Sequence, residues 1–461
     1  MSEHSFDVIV IGAGPAGEVA AGRLGEAGLK VALVERELVG GECSFYACMP
    51  SKALLRPGQI LDEARRVGGA AEAIGDVRPD VAATLKRRDE VVHDLDDSAQ
   101  LPWIEERGIA LFRGQGRLDG PRRVTVDDDV LTATKAVVLA PGSGASIPPI
   151  PGLTELEPWT NRTGTTGHEI PERLLIVGAG PVGCELAQAY RSLGSAVTVV
   201  EGTEHLLARE EAFAGETLAK AFEEQGIVVR LEAKVESARR DESGDVVLTL
   251  HGGEELRGDE VLVAAGRRPH TDDLGLETVG LEPGRTIDVG DDLRVAGHDW
   301  LFAVGDANGR ILLTHMGKYQ ARIVADAIQG IARPLRSDGG QSPRVCFTEP
   351  QVASVGHTLD SAIEAGLDAI CVDADMSQTA GGSFIGRGVD GVTRLVVERG
   401  TERVLGATFV AIDAAESLHA ATLAVIGGLT IDDLWHSVPA FPTRSEVWLR
   451  LVEAWERDER R

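Results

Sequence analysis

Apolar and polar positions along this chain twice spell out the same three-part unit. The run FDVIVI, Phe6 to Ile11, is short and almost unbroken in apolar character, as expected of a strand buried on both faces. GAGPAG, Gly12 to Gly17, interrupts it, Glu18 to Ala27 follows with helical spacing, and Lys30 to Glu35 returns as a second strand. The pattern starts again at Arg173 to Val177, continues through GAGPVG, Gly178 to Gly183, and a helix through Leu193, and ends on the strand Ala196 to Glu201. Two βαβ nucleotide-binding units are predicted, each closing its second strand on an acid.

The remaining pattern arranges domains around these units. Residues 51 to 135 read as helices followed by short β segments, and KAVVLAPGS, Lys135 to Ser143, is a strand running into a Gly/Pro-rich link. SIPPIPG, Ser146 to Gly152, reads as a crossover between domains, and VLVAAGRRP closes the second unit near Arg268. LFAVGDANG, Leu301 to Gly309, is a further strand with an acidic turn, and a helix follows from about His315 to Gly330. The polar stretch Arg333 to Pro343 reads as a linker. The predicted class is α/β: a first nucleotide-binding domain in two parts, 1–150 and 276–335, a second at 151–275, and a separate α+β domain at 341–461. About three domains suit the length, and a 43% hydrophobic content supplies their cores.

A lone GxGxxG is a weak signal, but here each copy lies between a strand and a helix and leads to an acid. The glycines let the backbone approach a pyrophosphate, the helix N-terminus favours its charge, and Glu35 and Glu201 can accept hydrogen bonds from ribose hydroxyls. Two dinucleotides are implied. Glu201 is followed by Gly202, Thr203 and Glu204 with no nearby arginine, which disfavours a 2′-phosphate and points to NAD over NADP.

Charge narrows the partners. A formal net charge of -27, from 46 basic and 73 acidic residues, argues against nucleic acid or an anionic membrane surface. Residues 1 to 11 enter a strand without the basic and long apolar regions of a signal peptide, and no apolar run reaches transmembrane length. Five cysteines, an odd number, do not make a secreted disulfide framework, so a reducing cytoplasm is expected with Cys184, Cys346 and Cys371 as inert thiols.

Cys43 and Cys48 are the exception, five positions apart in GGECSFYACMPSK, Gly40 to Lys52. On an ideal helix that spacing separates Cα atoms by roughly 8.6 Å, whereas a disulfide tolerates about 7 Å at most. If the two are bridged the backbone must be distorted, and Gly40, Gly41 and Pro50 suit an irregular turn. A strained bridge is easier to reduce. The competing reading is two buried thiols acting as small hydrophobes; the position directly after a nucleotide unit favours the redox pair. A zinc site is disfavoured, because there is neither a Cys-x2-Cys spacing nor a second Cys/His cluster.

Taken in order, GAGPAG, the Cys-x4-Cys segment with its Pro-Ser-Lys tail, GAGPVG, AGRRP and AVGD resemble the flavoprotein disulfide reductases, a family that includes dihydrolipoamide dehydrogenase, glutathione reductase and mercuric reductase. The resemblance implies FAD and NAD(H), with NADP(H) less favoured. Gly12, Gly14, Gly17 and Glu35 would hold the ADP part of FAD, Asp306 the ribityl chain, and Gly178, Gly180, Gly183 and Glu201 the NAD. Gly116, Gly142 and Gly266 are further cofactor-side positions. Lys52 and Glu185 match the ion pair that the family places beside the flavin, and His315 would shape the start of a helix aimed at its pyrimidine. Electrons would pass from NADH through FAD to the Cys43–Cys48 disulfide, Cys48 facing the ring and Cys43 exchanging with a small-molecule or protein-disulfide acceptor. A homodimer sharing its active site between subunits is implied, with the C-terminal domain as the dimerisation domain.

One departure bears on the substrate. The family's His-Pro-Thr-x-Ser-Glu signature appears here as Phe441-Pro442-Thr443-Arg444-Ser445-Glu446, so a phenyl ring stands where the proton-transferring histidine belongs. General acid/base help is worth about 10²- to 10⁴-fold, and slow lipoamide turnover is expected. Glu446 would keep its place without a base to orient, and His436 is the nearest upstream histidine. Mercuric reductases also lack this histidine, but they hand over metal through a C-terminal cysteine pair, and no cysteine follows Cys371 here. A quinone or metal-ion reductase is the alternative enzyme reading, and a non-catalytic flavoprotein subunit the alternative outside catalysis.

Overall fold

A computed structural model describes residues 2–388 and 391–459. The chain forms two compact units, each built from three separate segments.

The first unit comprises Met1–Pro50, Arg88–Ala145 and Arg267–Gly339. Its sheet runs, in order, Ala110–Arg113, Val31–Glu35, Ser2–Ile11, Asp129–Leu139, Arg123–Val126 and Gly116–Leu118, with Leu301–Ala303 pairing to the end of Asp129–Leu139. Pairings among the first four strands are parallel, and the last two join as antiparallel neighbours. All five residues of Val31–Glu35 are buried, which explains the unbroken apolar run, since a parallel strand has no solvent face. Ser2 to Ser5 extend the first strand beyond the predicted start at Phe6 by pairing with Asp129 to Thr132; exposed polar residues held by a ladder leave no apolar signature. The first helix begins at Pro15, not Glu18, because proline suits the first helical position, where an N–H is unpaired anyway. This helix, Pro15–Glu26, packs against Thr314–Ile328 through small residues, and a Cβ on Gly317 would lie 3.2 Å from that of Ala16.

The second unit comprises Ser51–Arg87, Ser146–Gly266 and Gly340–Arg461. Its parallel sheet has the order Val228–Arg230, Ala196–Val200, Arg173–Val177, Glu260–Val263, beside an antiparallel meander of Val235–Arg240, Val246–Leu250 and Glu255–Gly258. The C-terminal part is a five-stranded antiparallel sheet, Arg344–Cys346, Gln351–Gly356, Val404–Ala411, Val392–Glu398 and Ala369–Asp375. Helices Ala414–Gly427 and Val447–Glu459 complete its core with Leu418, Trp448, Leu451 and Trp455. No helix among the described residues is long and apolar enough to cross a membrane.

Candidate active site

The two glycine turns are near copies at atomic detail. Gly12 has φ +98°, and a Cβ there would lie 2.1 Å from the Ala140 carbonyl oxygen; Gly178 has φ +103°, with the Ala264 oxygen 2.6 Å away. A Cβ on Gly17 would meet the Gly12 oxygen at 1.8 Å, and one on Gly183 the Gly178 oxygen at 2.0 Å. The middle glycines, Gly14 and Gly180, face open space, with nothing within 4 Å. Outer glycines thus close strand against helix while the middle one leaves the cradle open, the division of labour a pyrophosphate requires.

The acids at the strand ends repeat this likeness. Glu35 accepts the Ala13 N–H at 2.7 Å on Oε2 and the Glu37 N–H at 2.7 Å on Oε1. Glu201 accepts the Ala179 N–H at 2.7 Å and the Thr203 N–H at 3.1 Å in the same fashion. Each carboxylate is fixed at the cradle and keeps lone pairs for ribose hydroxyls, so the residues present fit two dinucleotides. Of the remaining glycines, Gly116 has a packing reason, since a Cβ there would press on Val34 and Ile11 at 3.0 and 3.1 Å. Gly142 and Gly266 directly precede the paired strands Ser143–Ala145 and Arg267–Pro269.

The cysteine segment lies against the first cradle. The Gly40 N–H donates to the Ala13 carbonyl at 2.8 Å, and a Cβ on Gly41 would sit 2.8 Å from the Gly14 Cα. Cys43 lies in the short helix Gly41–Phe45, the helix breaks at Tyr46 and Ala47, and Cys48 opens the long helix Cys48–Arg66. That interruption brings the Cα atoms to 4.7 Å, and Cys43 and Cys48 are disulfide-bonded. Cys48 Sγ lies 3.5 Å from Oγ1 of Thr314, the first residue of the helix Thr314–Ile328. A helix N-terminus favours negative charge, so Cys48 is the sulfur placed to become a thiolate. Sequence reasoning singled out His315, its neighbour, and missed Thr314.

Asp306 stands in the turn Gly305–Asn308. The Ser143 hydroxyl donates to it, and Arg267 donates to the Ser143 hydroxyl at 2.7 Å and the Ser143 carbonyl at 2.5 Å. The same guanidinium lies 3.6 Å from both Asp306 and Glu42, the residue before Cys43. Neither Arg267 nor Ser143 was expected as a site residue, although AGRRP was recognised as a motif.

In the second unit Lys52 Nζ contacts Glu185 Oε2 at 2.7 Å, with the Glu185 side chain only 6% exposed. Ser51 donates to the same carboxylate at 3.2 Å, the Phe347 N–H to its other oxygen at 3.0 Å, and the ammonium lies 4.6 Å from the centre of the Phe347 ring. Glu446 is buried and accepts the Gly381 N–H at 3.2 Å, while Phe441 is 78% exposed and His436 is exposed. Cys184, Cys346 and Cys371 are free thiols. A hydrogen bond with Cys346 and then burial push the Cys184 thiol well above its ordinary range, and burial raises Cys371, which makes Cys184 and Cys371 poor nucleophiles. Among the described residues no cluster of three or more His, Cys, Asp or Glu is placed to hold a metal.

Comparison with known proteins agrees with this geometry. The pyridine nucleotide-disulphide oxidoreductase family matches residues 6–321, and its dimerisation domain matches residues 342–452. A mercuric reductase from Lysinibacillus sphaericus is 33% identical over 454 residues, 97% of this chain and 82% of the relative. A dihydrolipoyl dehydrogenase from Chlorobaculum tepidum is 32% identical over 460 residues, 96% of this chain and 95% of that one. Among solved structures, the HOCl-induced flavoprotein disulfide reductase RclA from Escherichia coli superposes with a TM-score of 0.85 at 26% identity, covering 97% of this chain and 99% of its own. The chain therefore belongs to the pyridine nucleotide-disulphide oxidoreductases, as an FAD-dependent flavoprotein disulfide reductase.

Proposed function

We propose that this enzyme uses NADH in preference to NADPH, passes the electrons to the Cys43–Cys48 disulfide and delivers them from Cys43 to an external acceptor. The observation that carries this reading is the bridge within a segment whose Gly40 and Gly41 lie against the first glycine turn, with Cys48 beside Thr314 at the start of the helix Thr314–Ile328. Bound FAD supplies two-electron transfer between nicotinamide and disulfide. The protein's own part is positional and electrostatic. Gly12, Gly14, Gly17 and Glu35 hold the ADP half of FAD, and Gly178, Gly180, Gly183 and Glu201 hold NAD. Support for NADH comes from Glu201, followed by Gly202-Thr203-Glu204, where a 2′-phosphate would meet acids and no arginine. Asp306 holds the ribityl chain, the helix N-terminus favours a Cys48 thiolate, and the Lys52–Glu185 pair supplies a fixed, partly buried cation. The domain boundaries follow as read from the sequence, and a cytoplasmic homodimer completes the reading, the dimerisation domain supporting it.

Phe441 favours a second reading for the acceptor. An exposed phenyl ring cannot protonate a leaving thiolate, whereas reduction of a metal ion needs no such proton. Two relatives support it by name: the mercuric reductase, and RclA, for which a Cu(II) complex is known. Lipoamide is then the poorer acceptor.

Anaerobic titration with NADH tests both levels. Reduction should consume the disulfide, giving two new thiols, at Cys43 and Cys48, per two-electron equivalent in excess of the flavin. Flavin reduction without new thiols would refute the relay. In turnover assays with lipoamide, small disulfides, quinones, Cu(II) and Hg(II), Phe441→His should raise lipoamide activity by about 10²-fold; fast lipoamide turnover in the unmodified protein would sink the interpretation of Phe441.

A further inference from the structure

Cys43 follows an acid, and that acid is tied to the turn bearing Asp306 by one guanidinium. Glu42 and Arg267 are mostly withdrawn from water, with side chains 19% and 21% exposed, and lie 3.6 Å apart. Arg267 is oriented by its fork: Nε and Nη2 grip the hydroxyl and carbonyl of the buried Ser143, leaving the cation between Glu42 and Asp306. Charges so placed are weakly screened by salt.

Opening the bridge exposes the chain to a new charge. Disulfide reduction takes two electrons and two protons and yields two thiols, and a thiol exchanges only as its thiolate. Glu42 precedes Cys43 directly in the helix Gly41–Phe45; its carboxylate opposes that ionisation through its field, without a contact to the sulfur, and a guanidinium against the carboxylate relieves the opposition. The charged groups meeting at this turn are Glu42, Arg267 from the strand Arg267–Pro269, and Asp306 from Gly305–Asn308; His315 and Lys318 are the titratable groups in the first turns of the helix whose Thr314 lies beside Cys48. Cys48 has the helix N-terminus, while Cys43 has the Glu42–Arg267 couple.

We infer that Glu42 and Arg267 form a charge couple that sets how readily Cys43 ionises, with Arg267 as the positioning residue that ties this setting to Ser143 and Asp306. Its importance in turnover rests on the relay proposed above, but the couple itself does not need NADH to be observed. It makes Cys43 a thiol whose attack on an acceptor is adjustable by one ion pair.

The test is the rate at which Cys43 of the dithiothreitol-reduced holoprotein displaces iodide from iodoacetamide at pH 7, read at that residue by peptide mass spectrometry. Glu42→Gln should speed the reaction by about threefold to tenfold, and Arg267→Gln should slow it by a similar factor. The double variant, with both charges gone, should return close to the unmodified rate, the sum of two opposite electrostatic effects. Arg267→Lys should also stay close to it, because it keeps the charge. Should Arg267→Gln fail to fold, the isosteric Glu42→Gln decides alone. An unchanged rate in Glu42→Gln, or shifts of the same sign in both single variants, overturns the inference. Failure of NADH to reduce the disulfide would refute the relay and leave these rates untouched.

Discussion

Glu18 is the residue whose ionisation the fold disturbs most usefully. It lies in the first turn of Pro15–Glu26, and loss of solvent pushes its carboxyl from 4.5 to about 7, with Glu35 adding to the rise and Lys318 opposing it. A carboxyl raised in the folded state binds its proton more tightly there than in the unfolded chain. Its contribution to stability is therefore complete below 4.5 and lost as pH rises through 7. Glu18→Gln should stabilise the protein by about 1–3 kcal/mol at pH 8 and by much less at pH 5. Urea denaturation at the two pH values checks this, and an equal gain at both would place the effect outside ionisation. Residue-level chemistry was partly legible in advance. Glu35, Glu201 and the cysteine pair announce themselves by spacing from a glycine turn. Thr314 and Arg267 do not, because their importance arises from contacts with residues far along the chain, Cys48 and Glu42, and nothing local in sequence encodes a meeting between distant segments.

Elements were more legible than contacts. The strand Arg173–Val177 falls where its apolar run begins and ends, and the helices after both glycine turns follow their predicted spans to within a few residues. Ends were missed where a ladder or a proline decides them, as at Ser2 and Pro15. The break at Tyr46 and Ala47 had a physical signature, since two bridged cysteines five apart cannot remain on one helix. The glycine turns themselves are the most demanding elements. A methyl at Gly17 would have to displace the Gly12 carbonyl, so Gly17→Ala should cost roughly 2–4 kcal/mol and strip the protein of bound flavin. Gly183→Ala should instead raise the KM for NADH and leave flavin content unchanged. Absorbance of the purified variants near the flavin bands reads the difference; flavin loss in both would mean that the two cradles do not serve separate dinucleotides.

At the scale of the molecule, apolar side chains are left in water near the end of the dimerisation domain: Trp435 is 56% exposed, Val438 86% and Phe441 78%. Neighbouring exposed apolar groups of this size mark an association surface, and a second copy is the expected cover. Sedimentation should find a dimer, and Val438→Glu should weaken it by about tenfold or more; an unchanged dissociation constant would place the interface elsewhere.

The path of the first unit, 1–50, 88–145 and 267–339, orders events in time as well as in space. During synthesis the first glycine turn leaves the ribosome early, whereas the strand Leu301–Ala303, which pairs with Val137 to Leu139, and the helix Thr314–Ile328, which packs on Pro15–Glu26, emerge much later. Until then the nascent chain carries an open strand edge of three apolar residues, a template for wrong partners. Flavin capture is therefore expected late in biogenesis, and a chain stalled before residue 301 is expected to behave as a client for chaperones instead of an unfinished holoenzyme.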